Sequence, residues 1–140
     1  MKKLFCLLLA VLMIVTLAGC GKQARLENQA ENKVEAMLNA LENGNLEEAE
    51  KLLHPVSGKD AEFVAEDLQE LVQLLENKKV TSFTADEVEA NERSRAKWIV
   101  KGTGTITLSD GTEEEVSFSY LSDGSSGFVS FKIRGVGVSV

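Results

Sequence analysis

Histidine and cysteine, which supply most zinc ligands and many catalytic side chains, are almost absent from this sequence. His54 is the only histidine, and the two cysteines are Cys6 and Cys20. No pair of these residues has the spacing of a zinc site, so we predict no metal centre and no cofactor. The serines lack the Gly-x-Ser-x-Gly motif of hydrolases, and there is no Gly-Lys-Ser/Thr phosphate loop. We therefore assign no catalytic residue and favour a non-enzymatic protein.

Basic residues are also in the minority, with 15 lysines and arginines against 22 aspartates and glutamates. The resulting net charge of −7 repels the phosphate backbone of nucleic acids, so we predict no nucleic-acid binding. Some acidic residues recur at i, i+4 spacing, and we interpret them as solvated helix faces rather than as a site for a cationic partner. The two rows are Glu27, Glu31 and Glu35, and Glu62, Glu66 and Glu70.

The most informative segment is an apolar run over residues 4–17, which follows Lys2 and Lys3. As a helix this run would span about 21 Å, which is shorter than the ~30 Å hydrocarbon core of a bilayer. Basic residues, an apolar run and the small residues Ala18 and Gly19 together have the layout of a secretory signal peptide. An uncleaved signal anchor over residues 4–20 is the alternative.

The segment Leu17-Ala18-Gly19-Cys20 resembles the lipobox of bacterial lipoproteins. In that family the cysteine thiol receives a diacylglyceryl group, the chain is cut before the cysteine, and the new amine is often acylated. The resemblance implies lipidation of Cys20 and anchoring at the extracytoplasmic face of the cell membrane by fatty acids such as palmitate. Two or more acyl chains hold a protein on a membrane stably, whereas one binds only marginally.

Removal of the signal peptide, residues 1–19, leaves a chain that contains no disulfide. The removed segment includes Cys6. It also includes Lys2 and Lys3 but no acidic residue, so the net charge changes from −7 to −9 in the mature chain. We predict that residues 20–24 form a lipidated tether and that residues 25–140 form a single domain held together by its core. Lys22 and Arg25 lie next to the lipid, where anionic headgroups favour basic side chains.

Three helices are predicted in the first half of the domain from apolar residues at intervals of three and four. They cover residues 24–43, residues 46 to about 53, and a third segment from Ser57 and Asp60 to about Asn77. Gly44 suits the left-handed position after a helix, and Asn45 with Glu48 forms a capping box for the second helix.

Beyond Lys79 the apolar residues alternate along the chain, which indicates strands. Four strands are predicted, over residues 80–90, 97–108, 116–120 and 129–140. We interpret Asp86 with Glu87, and Arg134 with Gly135, as bulges because the alternation slips at both places. Ser109-Asp110-Gly111-Thr112 and Ser122-Asp123-Gly124 are predicted turns.

Helices followed by strands indicate an α+β domain with N-terminal helices packed on a four-stranded antiparallel sheet. The stretch VEAMLNALENGNLEEA, residues 34–49, resembles the opening helix pair of the nuclear transport factor 2-like superfamily, also called cystatin-like or ketosteroid-isomerase-like. This resemblance implies a curved sheet, or roll, that wraps a long helix with a cone-shaped cavity between them.

Gly102 and Gly104 have the inward parity of the second strand, where a missing side chain leaves room in the core or lets the strand bend. One interpretation is that Trp98, Phe118 or Leu68 fills this room. The other is a small apolar pocket with a few polar groups. Its candidate lining residues, of which the last two supply the polar groups, are Phe83, Trp98, Gly102, Gly104, Phe118, Tyr120 and His54.

Two functions are therefore compatible with the sequence. We favour a lipid-anchored envelope domain that binds a small apolar ligand or another envelope protein, with the oligomeric state left open and a dimer included. The alternative is a ketosteroid-isomerase-like or dehydratase-like enzyme, which would need a desolvated carboxylate beside a tyrosine such as Tyr120. No Asp or Glu occupies an inward position that we can assign, and this departure argues against the enzyme.

Overall fold

Three helices precede a five-stranded antiparallel sheet in the computed structural model of the protein. The structure describes residues 2–55, 61–75, 78–94, 96–123 and 125–140, with side chains from residue 21 onward except that of Ala61. The elements are α1 Lys2–Glu42, α2 Leu46–Lys51, α3 Ala61–Leu74, β1 Val80–Ser94, β2 Lys97–Leu108, β3 Glu113–Ser122, β4 Gly127–Ile133 and β5 Val136–Ser139. Neighbouring strands in the sheet follow one another along the chain. The predicted α+β class is confirmed, but the sheet has five strands rather than four.

Helix α1 is interrupted at Gly21, whose φ of 69° and ψ of −153° are not helical. Glycine adopts such angles readily because it has no Cβ. The interruption follows Cys20 directly, and the side chain of Cys20 lies outside the described residues. Among the residues whose side chains are described, no helix is long and apolar enough to cross a membrane.

The junction between α1 and α2 has the predicted caps. Gly44 has a φ of 68°, and the side chain of Asn45 accepts a hydrogen bond from the backbone N–H of Glu48 at 3.2 Å. Helix α2 ends at Lys51, two residues before the predicted end. The predicted start of α3 at Ser57 and Asp60, and its predicted end at Asn77, lie outside the described residues.

Strand β1 is irregular where the sequence predicts a bulge. Its pairing with β2 shifts by one residue between Ala85 and Glu87, so Asp86 is the extra residue. The hydroxyl of Thr105 donates a hydrogen bond to the Asp86 carboxylate at 3.1 Å and holds this residue against β2. The strand continues to Ser94, beyond the predicted end.

The prediction of one final strand with a bulge at Arg134 and Gly135 is wrong. These two residues form the turn of a hairpin between β4 and β5, which pair directly on either side of it. Their φ angles are 52° and 73°, and two positive φ angles in a two-residue loop are typical of a type I′ turn. The alternation slips because the chain reverses direction, not because a residue is inserted.

The core lies between the helices and one face of the sheet, with α1 packed against β1 and α3 against β5. Its centre is Phe128, which is fully buried. Three aromatic rings meet it edge to face, with centroid distances of 6.1 Å to Phe118, 5.1 Å to Tyr120 and 5.4 Å to Phe131. Edge-to-face contacts at these distances stabilise a core beyond the burial of apolar area.

Candidate functional site

Gly102 and Gly104 are covered by aromatic rings. Gly102 pairs with Phe118 across β2 and β3, and a Cβ atom at position 102 would lie 2.5 Å from Cζ of Phe118. A Cβ at position 104 would lie 2.5 Å from Cε2 of Phe83 and 2.7 Å from the carbonyl oxygen of Thr84. The two rings therefore occupy the room that the glycines leave, and the structure places Gly102 with Phe118 and Gly104 with Phe83.

The other aromatic candidates lie apart from these pairs. Tyr120 is buried against Phe128, and burial raises the pKa of its hydroxyl above the ordinary value. Trp98 is half-buried near the start of β2, where Nζ of Lys22 lies 5.7 Å from the centroid of its ring. This distance is that of a cation–π contact.

An open groove lies beside the bulge of β1. It has a volume of about 660 Å³ and is lined by Asp86, Glu87, Val88, Glu89, Lys101, Gly102, Thr103, Phe118 and Ser119. We call this surface the bulge groove. Of the candidate pocket residues, it includes Gly102 and Phe118, whereas Phe83 lines a smaller groove of about 210 Å³ between α1 and β1. The bulge groove carries three carboxylates and one ammonium group, so its chemistry suits a polar partner with positive charge.

His54 lies at a different place, where the chain leaving α2 meets the turn between β3 and β4. Its Nε2 atom is 3.3 Å from Oδ2 of Asp123, and the two side chains are 23% and 17% exposed. The same carboxylate accepts the backbone N–H of Ser125 at 2.8 Å. This hydrogen bond is the main cause that lowers the pKa of Asp123, and His54 lowers it further.

The backbone around His54 is fixed to β4. His54 donates its N–H to the carbonyl oxygen of Phe128 at 2.8 Å, and Phe128 donates its N–H to the carbonyl oxygen of Leu52 at 2.9 Å. A Cβ on the adjacent Gly127 would lie 2.4 Å from the backbone nitrogen of His54. Glycine at position 127 therefore allows the two backbones to approach, and His54 belongs to a structural connection rather than to the bulge groove.

One acidic residue, Glu114, does lie at an inward-facing position of β3. This corrects the expectation that no Asp or Glu faces inward. The strand begins at Glu113, earlier than predicted, so Glu114 precedes Val116 on the buried side and is 8% exposed. Nε of Arg134 donates to Oε2 of Glu114 at 2.7 Å, and Nη2 donates to Oε1. This bidentate contact lowers the pKa of Glu114.

The position of Glu114 does not meet the requirement of an isomerase-like site. Tyr120 lies six residues further along the same strand, which is about 20 Å at roughly 3.3 Å per residue. The carboxylate is therefore far from the tyrosine hydroxyl, and Arg134 holds it in its charged form.

The acidic row of α1 is not merely a solvated face. Oε1 of Glu27 accepts a hydrogen bond from the backbone N–H of Ala90 at 3.1 Å. This bond satisfies one backbone donor of the edge strand β1. Burial, followed by the charges of Glu27 and Glu35, raises the pKa of Glu31. The i, i+4 spacing identifies the shared helix face, but it contains no signal for the contact with β1.

Metal ligands do not converge in the described part of the chain, where no three His, Cys, Asp or Glu side chains lie close enough to hold an ion together. The chain matches no model of a known protein family, and no curated protein matches it.

Proposed function

We propose that the protein is a bacterial lipoprotein, anchored by acyl chains on Cys20, whose extracytoplasmic domain acts by binding another envelope protein. The lipobox-like segment that ends at Cys20 supports the anchor. The helix break at Gly21 supports it as well, because it separates the apolar segment from the helix that packs on the domain. The domain then begins within a few residues of the membrane surface.

We also assign the domain to the nuclear transport factor 2-like rolls. The order of three helices and an antiparallel sheet is compatible with that fold. The bulge at Asp86 lies near Gly102 and Gly104 on the neighbouring strand, and bulges and strand glycines are the features that bend sheets. These local irregularities support a curved rather than a flat sheet.

The rings over the glycines are the observation that favours a protein partner over a small apolar ligand. Phe118 and Phe83 occupy the space at Gly102 and Gly104 in which the second of the two interpretations places an apolar pocket. The bulge groove, by contrast, is open and carries charged side chains at its rim. Open, charged surfaces suit the polar rim of a protein interface better than they suit an apolar molecule, which needs enclosure.

The lipid anchor is tested on the full-length protein expressed in a bacterium. Mass spectrometry of the purified protein should show a chain that begins at Cys20 and carries acyl groups. Cys20→Ala should accumulate as a precursor of full length. An unmodified Cys20 in the wild-type protein would contradict the anchor.

The bulge groove is tested with a photo-crosslinking amino acid placed at Lys101 or Ser119 in cells. We expect a defined envelope protein to be captured from these positions and not from a matched exposed position, Gln69 on α3. Reversal of two groove carboxylates, Glu87→Lys with Glu89→Lys, should abolish capture at Ser119. Equal capture from all three positions, or a co-purified apolar molecule in native mass spectra, would contradict a protein-binding groove.

A further inference from the structure

The start of the domain helix and the hairpin between β1 and β2 meet at one end of the domain. The contact between Lys22 and Trp98 joins them, since Nζ lies 5.7 Å from the ring centroid. Lys22 follows Cys20 by two positions. Trp98 therefore lies at the end of the domain that is nearest to the proposed lipid.

Positive charge gathers at this end, although the chain as a whole is acidic. Arg25 is a neighbour of Lys22 on α1, because residues three apart share a helix face. The hairpin adds further basic side chains, since Ser94 pairs with Lys97 and Arg93 precedes them. We define the basic end as Trp98 with four exposed basic residues, which are Lys22, Arg25, Arg93 and Lys97.

Acidic groups also lie near the basic end, and two of them accept hydrogen bonds from backbone N–H groups. Glu27 accepts the N–H of Ala90, and Asp123 accepts the N–H of Ser125. Glu92, which pairs with Trp98 across the two strands, is an exposed exception. The carboxylates of Glu27, Asp123 and Glu92 all stay charged, so the four basic residues exceed the acids at this end by one charge.

Apolar side chains accompany the charges. Ile99 pairs with Leu121 on the opposite face of the sheet from Trp98, and both are half-buried. Indole rings are favoured at the boundary between membrane and water, because one part is apolar and the N–H can bond to water or headgroups. Each lysine or arginine near an anionic membrane surface strengthens binding about five-fold.

We infer that the basic end lies on the bilayer, with its basic side chains against anionic phospholipid headgroups and Trp98 at headgroup depth. This rests on the proposed lipid anchor and adds a second contact that the anchor alone does not require. An acyl chain on Cys20 would tether the domain in any orientation, whereas the basic end specifies one orientation.

Trp98 is the sole tryptophan of the chain, so its fluorescence reports on this contact without a label. The mature lipidated protein, which begins at Cys20, is reconstituted into vesicles of brominated phosphatidylcholine, with or without about 30% phosphatidylglycerol. We expect bromine to quench Trp98 at least about two-fold more strongly in the anionic vesicles, and high salt to remove the difference. Arg93→Glu with Lys97→Glu should abolish it. The matched pair Lys51→Glu with Lys79→Glu, on exposed residues elsewhere, should not.

Failure of this inference is distinguishable from failure of the anchor. If the protein floats with every vesicle type but Trp98 is quenched equally in all of them, the anchor stands and the oriented contact is wrong. If mass spectrometry shows an unmodified Cys20, the anchor is wrong. Salt-sensitive quenching on anionic vesicles alone would still support the contact in that case, and no quenching would overturn it.

Discussion

The Nε2 atom of His54 lies 3.3 Å from a carboxylate oxygen of Asp123, and this contact joins segments 69 positions apart in the chain. Beside it, the backbone of Leu53 forms a parallel bridge with Phe128 at the start of β4. Pro55 follows His54 in the sequence, and proline has no backbone N–H with which to extend this bridge. The segment after α2 is therefore fixed to the sheet by one side-chain pair and one short backbone bridge.

Asp123→Asn tests the charge in this contact. The pKa of Asp123 lies below its ordinary value of 3.8 in the folded protein, mainly because the carboxylate accepts the N–H of Ser125. The ionised group therefore stabilises the fold above its unfolded pKa, and this stabilisation is lost as pH falls through the lower folded pKa. The variant should have a lower urea midpoint than wild type at about pH 6, with a smaller difference near about pH 2.

His54→Ala is the control for that experiment. This variant keeps the hydrogen bond from Ser125 to Asp123. Its urea midpoint at about pH 6 should therefore fall by less than that of Asp123→Asn. If Asp123→Asn differed from wild type by the same amount at both pH values, the carboxylate charge would not be the cause.

Arg134→Asn separates the ion pair with Glu114 from the turn that contains it. Asparagine tolerates the positive φ of position 134, so the hairpin should form while the nearly buried carboxylate loses its partner. We expect a lower urea midpoint, and a pKa of Glu114 that rises from its present value below 4.5. Carboxyl NMR titration measures the second effect. Lys132→Asn removes a charge from the same hairpin and should leave the Glu114 titration in place.

Gly127→Ala should break the connection between the α2 segment and β4. The added Cβ would lie 2.4 Å from the nitrogen of His54 and 2.6 Å from the carbonyl oxygen of Leu53, and backbone atoms cannot move aside cheaply. Overpacking of this kind typically destabilises a fold by about 1–3 kcal/mol or more. Hydrogen exchange of the His54 and Phe128 amides should accelerate selectively.

Gly111→Ala is the comparison, because a Cβ there meets nothing within 4 Å although φ is +86°. It should destabilise the protein only by the strain of a left-handed residue, about 1–2 kcal/mol, and leave the exchange of His54 unchanged. Accelerated exchange in both variants alike would mean that the close approach at Gly127 carries no special role.

The order of helices and strands can be predicted because its signals are local. Helical spacing changes to alternation after Lys79, and Gly44 with Asn45 marks a helix boundary within two residues. The bulge at Asp86 is likewise visible as a slip in alternation. Such features depend on neighbouring residues alone, so the sequence pattern contains them.

The hairpin at Arg134 and the contacts of the candidate site have no local signal. Type I′ turns usually begin with asparagine, aspartate or glycine, so arginine at that position suggests a bulge instead. The ion pair with Glu114, 20 positions earlier, accompanies this unusual residue. Asp123 also has a sufficient local explanation as a turn residue, which hides its contact with His54. Parity alone places Phe118 and Gly102 inward, but it cannot show that the ring covers the glycine.

Gly102→Ala combined with Phe118→Leu tests whether the ring or the backbone fills the space in front of the glycine. The single variant Gly102→Ala should be destabilising, because its Cβ would lie 2.5 Å from Cζ of Phe118 and 3.0 Å from the carbonyl oxygen of Glu87. Removing the ring should relieve the first clash, so the double variant should be more stable than the sum of the single effects predicts, by about 1 kcal/mol.

Gly104→Ala with Phe83→Leu is the matched case, in which the carbonyl oxygen of Thr84 at 2.7 Å stays in place and little rescue is expected. Urea unfolding of the six variants measures both couplings. Additive effects at Gly102 would mean that the Phe118 ring does not limit the space in front of the glycine.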